Sequence, residues 1–404
     1  MSGSSITMPF PARLKPSMSI DPVLLVLALS LILGGFVILA SASISVSDRI
    51  ADEPFFYLER QLLAAVLGAA GAYACLFIPM QVWRSLGPLM LLLAFVLLVI
   101  VLVPGFGHTV NGSTRWLRIG IMNLQVSEPA RLCLIIYMAS YLVRRNRQVR
   151  EGFFGFLRPM ILLAIACALL LAEPDFGASM VLVATVLVMM FVAGARLRDF
   201  FLFISVSVIA ATSLVVTSEY RMNRLTGFMD PWADPYHSGF QLTQSLIAIG
   251  RGGWLGVGLG GSVQKLFYLP EAHTDFVFAV FAEEFGLLGG VILVSAFLAF
   301  LWRIFSLAMR AMNSDRLFEA LLAIGIGTWF GLQAFINIGV NMGLLPTKGL
   351  TLPLISYGRS SLIIMMVAIG ILLRIHHEVV TDAPPVNRQS RKKPARKAPR
   401  RKRA

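Results

Sequence analysis

Ten stretches of this chain are long, mostly apolar and nearly free of charge, and polar segments separate them. A helix that crosses the hydrocarbon core of a bilayer needs roughly 20 predominantly apolar residues. The pattern predicts spans at 22–43, 58–78, 86–103, 126–143, 157–172, 178–195, 200–217, 276–305, 317–340 and 354–374. Several are short, which tilt or local thinning of the bilayer absorbs. Ala40-Ser41-Ala42 resembles a leader-peptidase site, but the apolar run before it is too long for a leader and reads as an uncleaved span.

Composition sharpens this reading. The chain has 404 residues, 57% of them hydrophobic and 14% charged, with a mean hydropathy of +0.77. A soluble domain carries about 25% charged residues. The expected fold is therefore all-α: a polytopic membrane protein of about ten transmembrane helices. Cys75, Cys133 and Cys167 each sit inside an apolar run, which excludes a disulfide scaffold and a CxxC metal site.

Charge orients the spans. With the N-terminus inside, the inner segments hold 24 of the 35 Lys and Arg residues. By the positive-inside rule both termini are then cytoplasmic. The residues from His377 onward hold ten Lys/Arg and two acids, so the net charge of +14 is mostly a property of the tail. The domain reading is a cytoplasmic segment at 1–19, a transmembrane domain at 20–376 with a large outer loop at 218–275, and a basic, disordered tail at 377–404. Pro394 and Pro399 break up the basic clusters and oppose a helix. The tail is read first as lying against anionic lipid or enforcing topology, second as binding a cytoplasmic protein partner, and last as binding nucleic acid.

The outer segments carry the candidate chemistry. A loop of nearly sixty residues in an otherwise economical membrane protein points to function. Gln241 to Ile249 places Leu242, Leu246 and Ile249 on one helical face, suited to the membrane interface or to re-entry. Gly256, Gly258 and Gly261 match GxGxxG, but no strand precedes them, so a dinucleotide site is excluded. Close backbone approach and a plain flexible loop remain as readings.

Lys265, Glu271, His273 and Asp275 fall within eleven residues where the chain enters the eighth span. A partly buried carboxylate there has its pKa raised, which suits a general base. The competing reading makes Asp275 an N-cap. Glu128 and Arg131 share one face of the fourth span, as a structural ion pair or as a ligand-contacting pair. Glu283 and Glu284 lie two turns into the eighth span and diverge by about 100°. Lys348, with Ser356-Tyr357-Gly358-Arg359-Ser360-Ser361, puts cations, hydroxyls and glycines at one outer mouth, fit for a phosphate or for ordinary capping.

At these residues the sequence resembles the SEDS family (shape, elongation, division and sporulation), polytopic glycosyltransferases that polymerise lipid II into peptidoglycan. The resemblance spans roughly residues 20–376 and rests most on 270–276 and 343–361; the wording Pro270-Glu271-Ala272-His273-Thr274-Asp275-Phe276 is similar to the division branch. It implies that Asp275 is the essential outer-face aspartate. It also implies that Glu128 with Arg131 is the family's acid–base pair, and that Arg115 is the arginine of the outer stretch Asn111-Gly112-Ser113-Thr114-Arg115-Trp116. Arg359 stands where the family usually has glycine, adding bulk and charge beside the groove.

The resemblance further implies an inverting β-1,4 transfer with release of undecaprenyl diphosphate, and a cation to meet the developing charge. Arg115, Arg131, Lys265, Lys348 or Arg359 would serve, as would a divalent ion (Mg or Mn) held partly by Asp275. Together with Glu128 and His273, these five make up the expected substrate contacts around the catalytic Asp275. Expected partners are lipid II, a class B penicillin-binding protein, other division membrane proteins and the bilayer. The expected location is the inner membrane at the septum, with the site facing the periplasm. A lipid II flippase and a non-catalytic division scaffold are the rival readings.

Overall fold

The computed structural model describes residues 18–110, 113–120, 122–237 and 239–381. Most of the predicted tail (382–404), residues 1–17 of the N-terminal segment, and Asn111 and Gly112 of the outer motif lie outside the described residues.

The chain opens with α1 (Pro22–Ala51), α2 (Phe56–Phe77), the short α3 (Met80–Ser85) and α4 (Gly87–Ile100). Strands β1 (Gly107–Val110), β2 (Ser113–Ile119) and β3 (Met122–Gln125) follow. Then come α5 (Ser127–Arg144), α6 (Asn146–Glu151), α7 (Phe153–Ala172), α8 (Phe176–Val192) and α9 (Leu197–Val216). The large loop contains α10 (Glu219–Met229) and α11 (Phe240–Gly252), and the chain continues through α12 (Val277–Asn313), α13 (Leu317–Asn341) and α14 (Arg359–Thr381). Each of the ten predicted spans corresponds to a helix, the eighth being broken at Gly286.

Seven of these helices are long and apolar enough to cross a membrane, while α4 and α8 are apolar but shorter. The tenth, α5, carries Glu128 and Arg131 and is buried almost throughout. Its polar residues face protein rather than lipid, which is why its composition is the least apolar of the ten. With α13 it forms the interior of the bundle. Helix α9 is the opposite case, since its one fully buried residue is Asp199 and its apolar side chains point outward.

Three differences from the sequence reading stand out. The fold is not purely α, because β1, β2 and β3 form an antiparallel sheet in the outer segment between α4 and α5. Trp116 pairs with both His108 and Gln125 in that sheet. The last helix starts at Arg359 rather than 354, so Leu354 to Gly358 is a non-helical approach. It also runs to Thr381, so the first five residues of the predicted tail are helical. Ser360 Oγ accepts from Gln125 N (2.9 Å) and donates to Asn123 O (3.1 Å), joining the sheet to the start of α14.

The glycine segment is packed by its backbone. Helix α12 breaks at Gly286, where φ is +65°, and the main chain of the loop fills the break. Val257 N and Gly258 N donate to Glu283 O and Glu284 O (both 3.0 Å), and Leu287 N donates to Gly253 O (2.9 Å). A Cβ on Gly252, Gly256 or Gly286 would collide with backbone across this contact. Only glycine permits two main chains to approach so closely, so this segment is a structural joint rather than a loose loop.

Candidate active site

Asp275 sits one residue before the N-cap of α12. That N-cap is Phe276, and no side chain caps the helix. The capping reading of Asp275 is therefore wrong; its carboxylate is left for other work. The motif before it folds as a tight turn, with Glu271 in the left-handed region at φ +55°. Glu271 O accepts from Thr274 N (3.1 Å) and Phe276 N (3.2 Å).

The main chain of Asp275 is held from α13. Asn337 Nδ2 donates to Asp275 O at 2.8 Å, and Asn341 Nδ2 donates to the same oxygen at 3.0 Å. Asn337 Nδ2 also reaches Leu350 O (2.6 Å), and Asn341 Oδ1 accepts from Ala279 N (3.1 Å). One turn earlier, Gln333 Nε2 donates to Thr351 O (3.1 Å). Gln333, Asn337 and Asn341 recur every four residues, so one polar stripe of α13 anchors both the Asp275 turn and the last loop. The sequence reading missed this stripe. Its signal was available as amides at helical spacing inside an apolar span, which mark function or buried pairing.

The carboxylate itself is half-buried. Gly349 of the last loop lies against it, and a Cβ there would meet Oδ2 at 3.1 Å. Burial, reinforced by the nearby Glu271 carboxylate, pushes the Asp275 pKa up to about 7; Arg224 and Arg115 pull it down, and Asp175 adds to the rise. A carboxyl that titrates near neutrality is matched to proton abstraction. Arg224 was also missed by the sequence reading. It lies on α10, far away in sequence, and its Nη1 donates to Thr347 O (3.3 Å) next to Lys348.

Arg115 on β2 donates from Nε to Glu173 O (3.0 Å) and from Nη2 to Pro174 O, so it clamps the turn between α7 and α8. Beside it, Glu173 is fully buried and neither of its carboxylate oxygens has a hydrogen-bond partner. Burial, with repulsion from Asp175 and against the pull of Arg115, pushes the Glu173 pKa up to about 8. Asp175 caps α8 through Ala178 N (3.0 Å). Lys348 Nζ lies 4.2 Å from the centre of the Phe176 ring. Arg115, Arg224, Asp175 and the Lys348–Gly349 segment thus surround Asp275.

The other expected residues have partners of their own, and Glu128 also feels the Asp175 carboxylate. Glu128 and Arg131 form a buried ion pair at 3.5 Å. Arg131 Nη1 also donates to Gln333 Oε1 (3.0 Å), and its guanidinium lies 5.4 Å from the Trp329 ring. The pair reaches the Asp275 region through the α13 stripe. Lys265 is buried and donates to Glu284 Oε1 (2.8 Å) and Ser41 Oγ (2.7 Å), fastening the loop to α1 and α12. Glu283 takes Arg251 Nη1 (2.7 Å), Ser262 Oγ, Val263 N (3.1 Å) and Gln264 N (3.4 Å). Both glutamates are therefore used to hold the loop.

His273 is buried, with ring centres 4.6 Å from Tyr57 and 5.9 Å from Tyr357. Burial lowers its pKa and outweighs the opposing pull of Glu271, so the ring is neutral at pH 7. Arg359 is the first residue of α14. Among the described residues, neither it nor Gly358 has a positive φ, so this turn accepts an arginine without strain. Gln61 on α2 supports the same turn, donating to Ser356 O and accepting from Gly358 N (both 3.2 Å).

Among the described residues, no three or more His, Cys, Asp or Glu side chains converge to hold a metal. A divalent ion shared between Asp275 and a diphosphate would need only one or two protein carboxylates.

The family model described as "Cell cycle protein" (FtsW, RodA, SpoVE) matches residues 22–381. The chain belongs to that family. A family relative in Thioalkalivibrio sulfidiphilus, named probable peptidoglycan glycosyltransferase FtsW, is 55% identical over 373 residues, covering 92% of each chain. A Coxiella burnetii protein of the same name is 49% identical over 362 residues, covering 90% of this chain and 97% of its own. Among solved family structures, one described as "Structural coordination of polymerization and crosslinking by a peptidoglycan synthase complex" matches with a TM-score of 0.76 at 30% identity. It covers 91% of this chain and 100% of its own. The Thermus thermophilus rod shape determining protein RodA matches with a TM-score of 0.67 at 29% identity, covering 90% of this chain and 99% of its own.

Proposed function

We propose that this chain is a peptidoglycan glycosyltransferase that polymerises lipid II for septal wall synthesis, with Asp275 as its base. The observation that carries the assignment is the Asp275 carboxylate, held in its turn by Asn337 and Asn341 against Gly349, with burial pushing its pKa up to about 7 while Arg224 and Arg115 pull it down. Asp275 takes the proton from the acceptor's GlcNAc 4-hydroxyl as that oxygen attacks MurNAc C1. The new β-1,4 C–O bond forms as the α C1–O bond to the diphosphate breaks, so the configuration inverts. The electron pair leaves with undecaprenyl diphosphate, and a preorganised cation lowers the cost of that charge. Arg115 and Lys348 are our candidates for this role; Arg224 supports the loop that carries Lys348 by donating to Thr347 O.

The lipid tails lie between helices of the bundle. The excess of Lys and Arg at the opposite end supports a periplasmic position for Asp275 at the inner membrane. A polymerase working alone would leave uncrosslinked strands, so the partner is a class B penicillin-binding protein, alongside other division membrane proteins. Lys265, Glu128 with Arg131, His273 and Arg359 support the site by holding its frame.

The test is the purified full chain with labelled lipid II. Wild type should form glycan strands, more strongly with the transpeptidase added. Asp275→Ala should form none while inserting and melting like wild type. Chain formation by a stable Asp275→Ala protein overturns the assignment. Translocation of lipid II without polymerisation would favour the flippase reading.

A further inference from the structure

At the arginine-rich end of the bundle, away from Asp275, Tyr141, Arg144, Arg145 and Arg158 line a cavity of about 370 Å³. Three guanidinium groups share its wall with no acid. Among the described residues no carboxylate pairs with any of the three, whereas nearby Arg147 is paired with Glu151 at 2.9 Å. Residues 1–17 contain no acid, and 382–404 hold one acid among ten Lys/Arg.

The wall is built rather than incidental. Pro159 inside α7 has no N–H, so the Gly155 carbonyl lacks its usual helical donor. Tyr141 Oη donates to that carbonyl at 3.0 Å, locking the end of α5 to the start of α7. Arg144 and Arg145 close α5, where a cation complements the negative end of the helix dipole. Arg158 has no such excuse. It lies in the second turn of α7, whose N-cap, Gly152, offers no side chain to the free N–H groups. A cation beside the positive end of a helix is unfavourable alone and favourable with a bound anion. Phe153 and Phe154, 39% and 71% exposed, open the same helix. Exposed aromatic rings at that level are typical of a membrane boundary.

We propose that this cavity binds the phosphodiester headgroup of an anionic phospholipid in the leaflet at the arginine-rich end. The arginines supply bidentate donors to the phosphate oxygens, and Phe153 and Phe154 meet the upper acyl chains. The apolar flank is what favours a lipid over a free anion.

The test places the full chain in vesicles carrying a trace of photoreactive phosphatidylglycerol or, in a parallel arm, photoreactive phosphatidylethanolamine. Phosphatidylglycerol should label the 141–158 segment and phosphatidylethanolamine should label it several-fold less. Arg145→Gln with Arg158→Gln should cut that labelling about tenfold, given the strength of cation–lipid attraction near a membrane surface. Arg147→Gln should leave it unchanged. Arg145→Lys with Arg158→Lys preserves the charge that sets topology and should lower labelling to an intermediate level by losing the planar fork. Equal labelling by the two lipids, or wild-type labelling in both double variants, overturns the proposal. Displacement by excess inorganic phosphate would mark a free-anion site and overturns it as well.

Discussion

Asn337 Nδ2 donates to the backbone carbonyl of Asp275 at 2.8 Å, so the position of the proposed base is set from α13 and not from its own helix. Asn341 shares the same acceptor at 3.0 Å. Asn337→Ala should leave Leu350 O without its donor and cost about 1–3 kcal/mol, the usual effect of stranding a buried polar group. Asn337→Ala with Asn341→Ala should free the turn and lower polymerisation by more than the stability loss accounts for. Thermal denaturation and lipid II assays on the same preparations check both points.

The raised Asp275 pKa fixes the sign of the pH dependence. A base works only when ionised, so polymerisation should rise with pH through about 7 and level off above it. Well below 7 the rate should fall about tenfold per pH unit. Arg224→Gln removes a cation that pulls this pKa down, so the midpoint should move to higher pH. A rate profile flat between pH 6 and 8 would exclude Asp275 as the base.

Glu128 and Arg131 are 3.5 Å apart and both buried. Either single alanine change leaves the other charge stranded, at a cost of about 3–5 kcal/mol. Glu128→Arg with Arg131→Glu should recover only part of that, because Arg131 also donates to Gln333 Oε1 and a glutamate has no such donor. If both singles melt like wild type yet lose activity, the pair acts on substrate instead.

Gly349 meets the Asp275 carboxylate so closely that a Cβ would sit 3.1 Å from Oδ2. Its own φ is not in the left-handed region, so backbone strain plays no part in a substitution. Gly349→Ala should therefore lower kcat by displacing Asp275 a few tenths of an ångström while barely changing Tm.

Local pattern made the helices readable from sequence and singled out the Asp275 turn as a candidate. Apolar runs found ten helices because lipid and protein interior both demand apolar side chains. Asp275 stood out as a candidate because its turn is contiguous. The sheet was not, since β1 and β3 have only four residues each, too few to show alternation. Lys265 is near Asp275 in sequence, yet it pairs with Glu284, nineteen residues on, once the glycine joint folds the loop back on α12. Arg224 and Asn337 approach the site only through tertiary packing. No local signal distinguishes an arginine on α10 from any other basic residue of the outer loops.

Glu173 offers the cleanest linkage test. In the fold it keeps its proton up to about pH 8, because burial and Asp175 disfavour the anion; unfolded, it ionises near its ordinary value of 4.5. Within that window the unfolded chain has released a proton that the folded chain retains. Raising the pH therefore favours unfolding, at 1.4 kcal/mol per unit and on the order of 5 kcal/mol across the window. Glu173→Gln removes the titration and keeps the shape. The variant and wild type should melt together near pH 4.5. As pH rises toward 8 the variant should become progressively more stable than wild type, with the difference largest above 8. Parallel Tm curves across pH 4.5–8.5 would show that Glu173 is already ionised in the fold, paired with Arg115 through its side chain and not merely through its carbonyl.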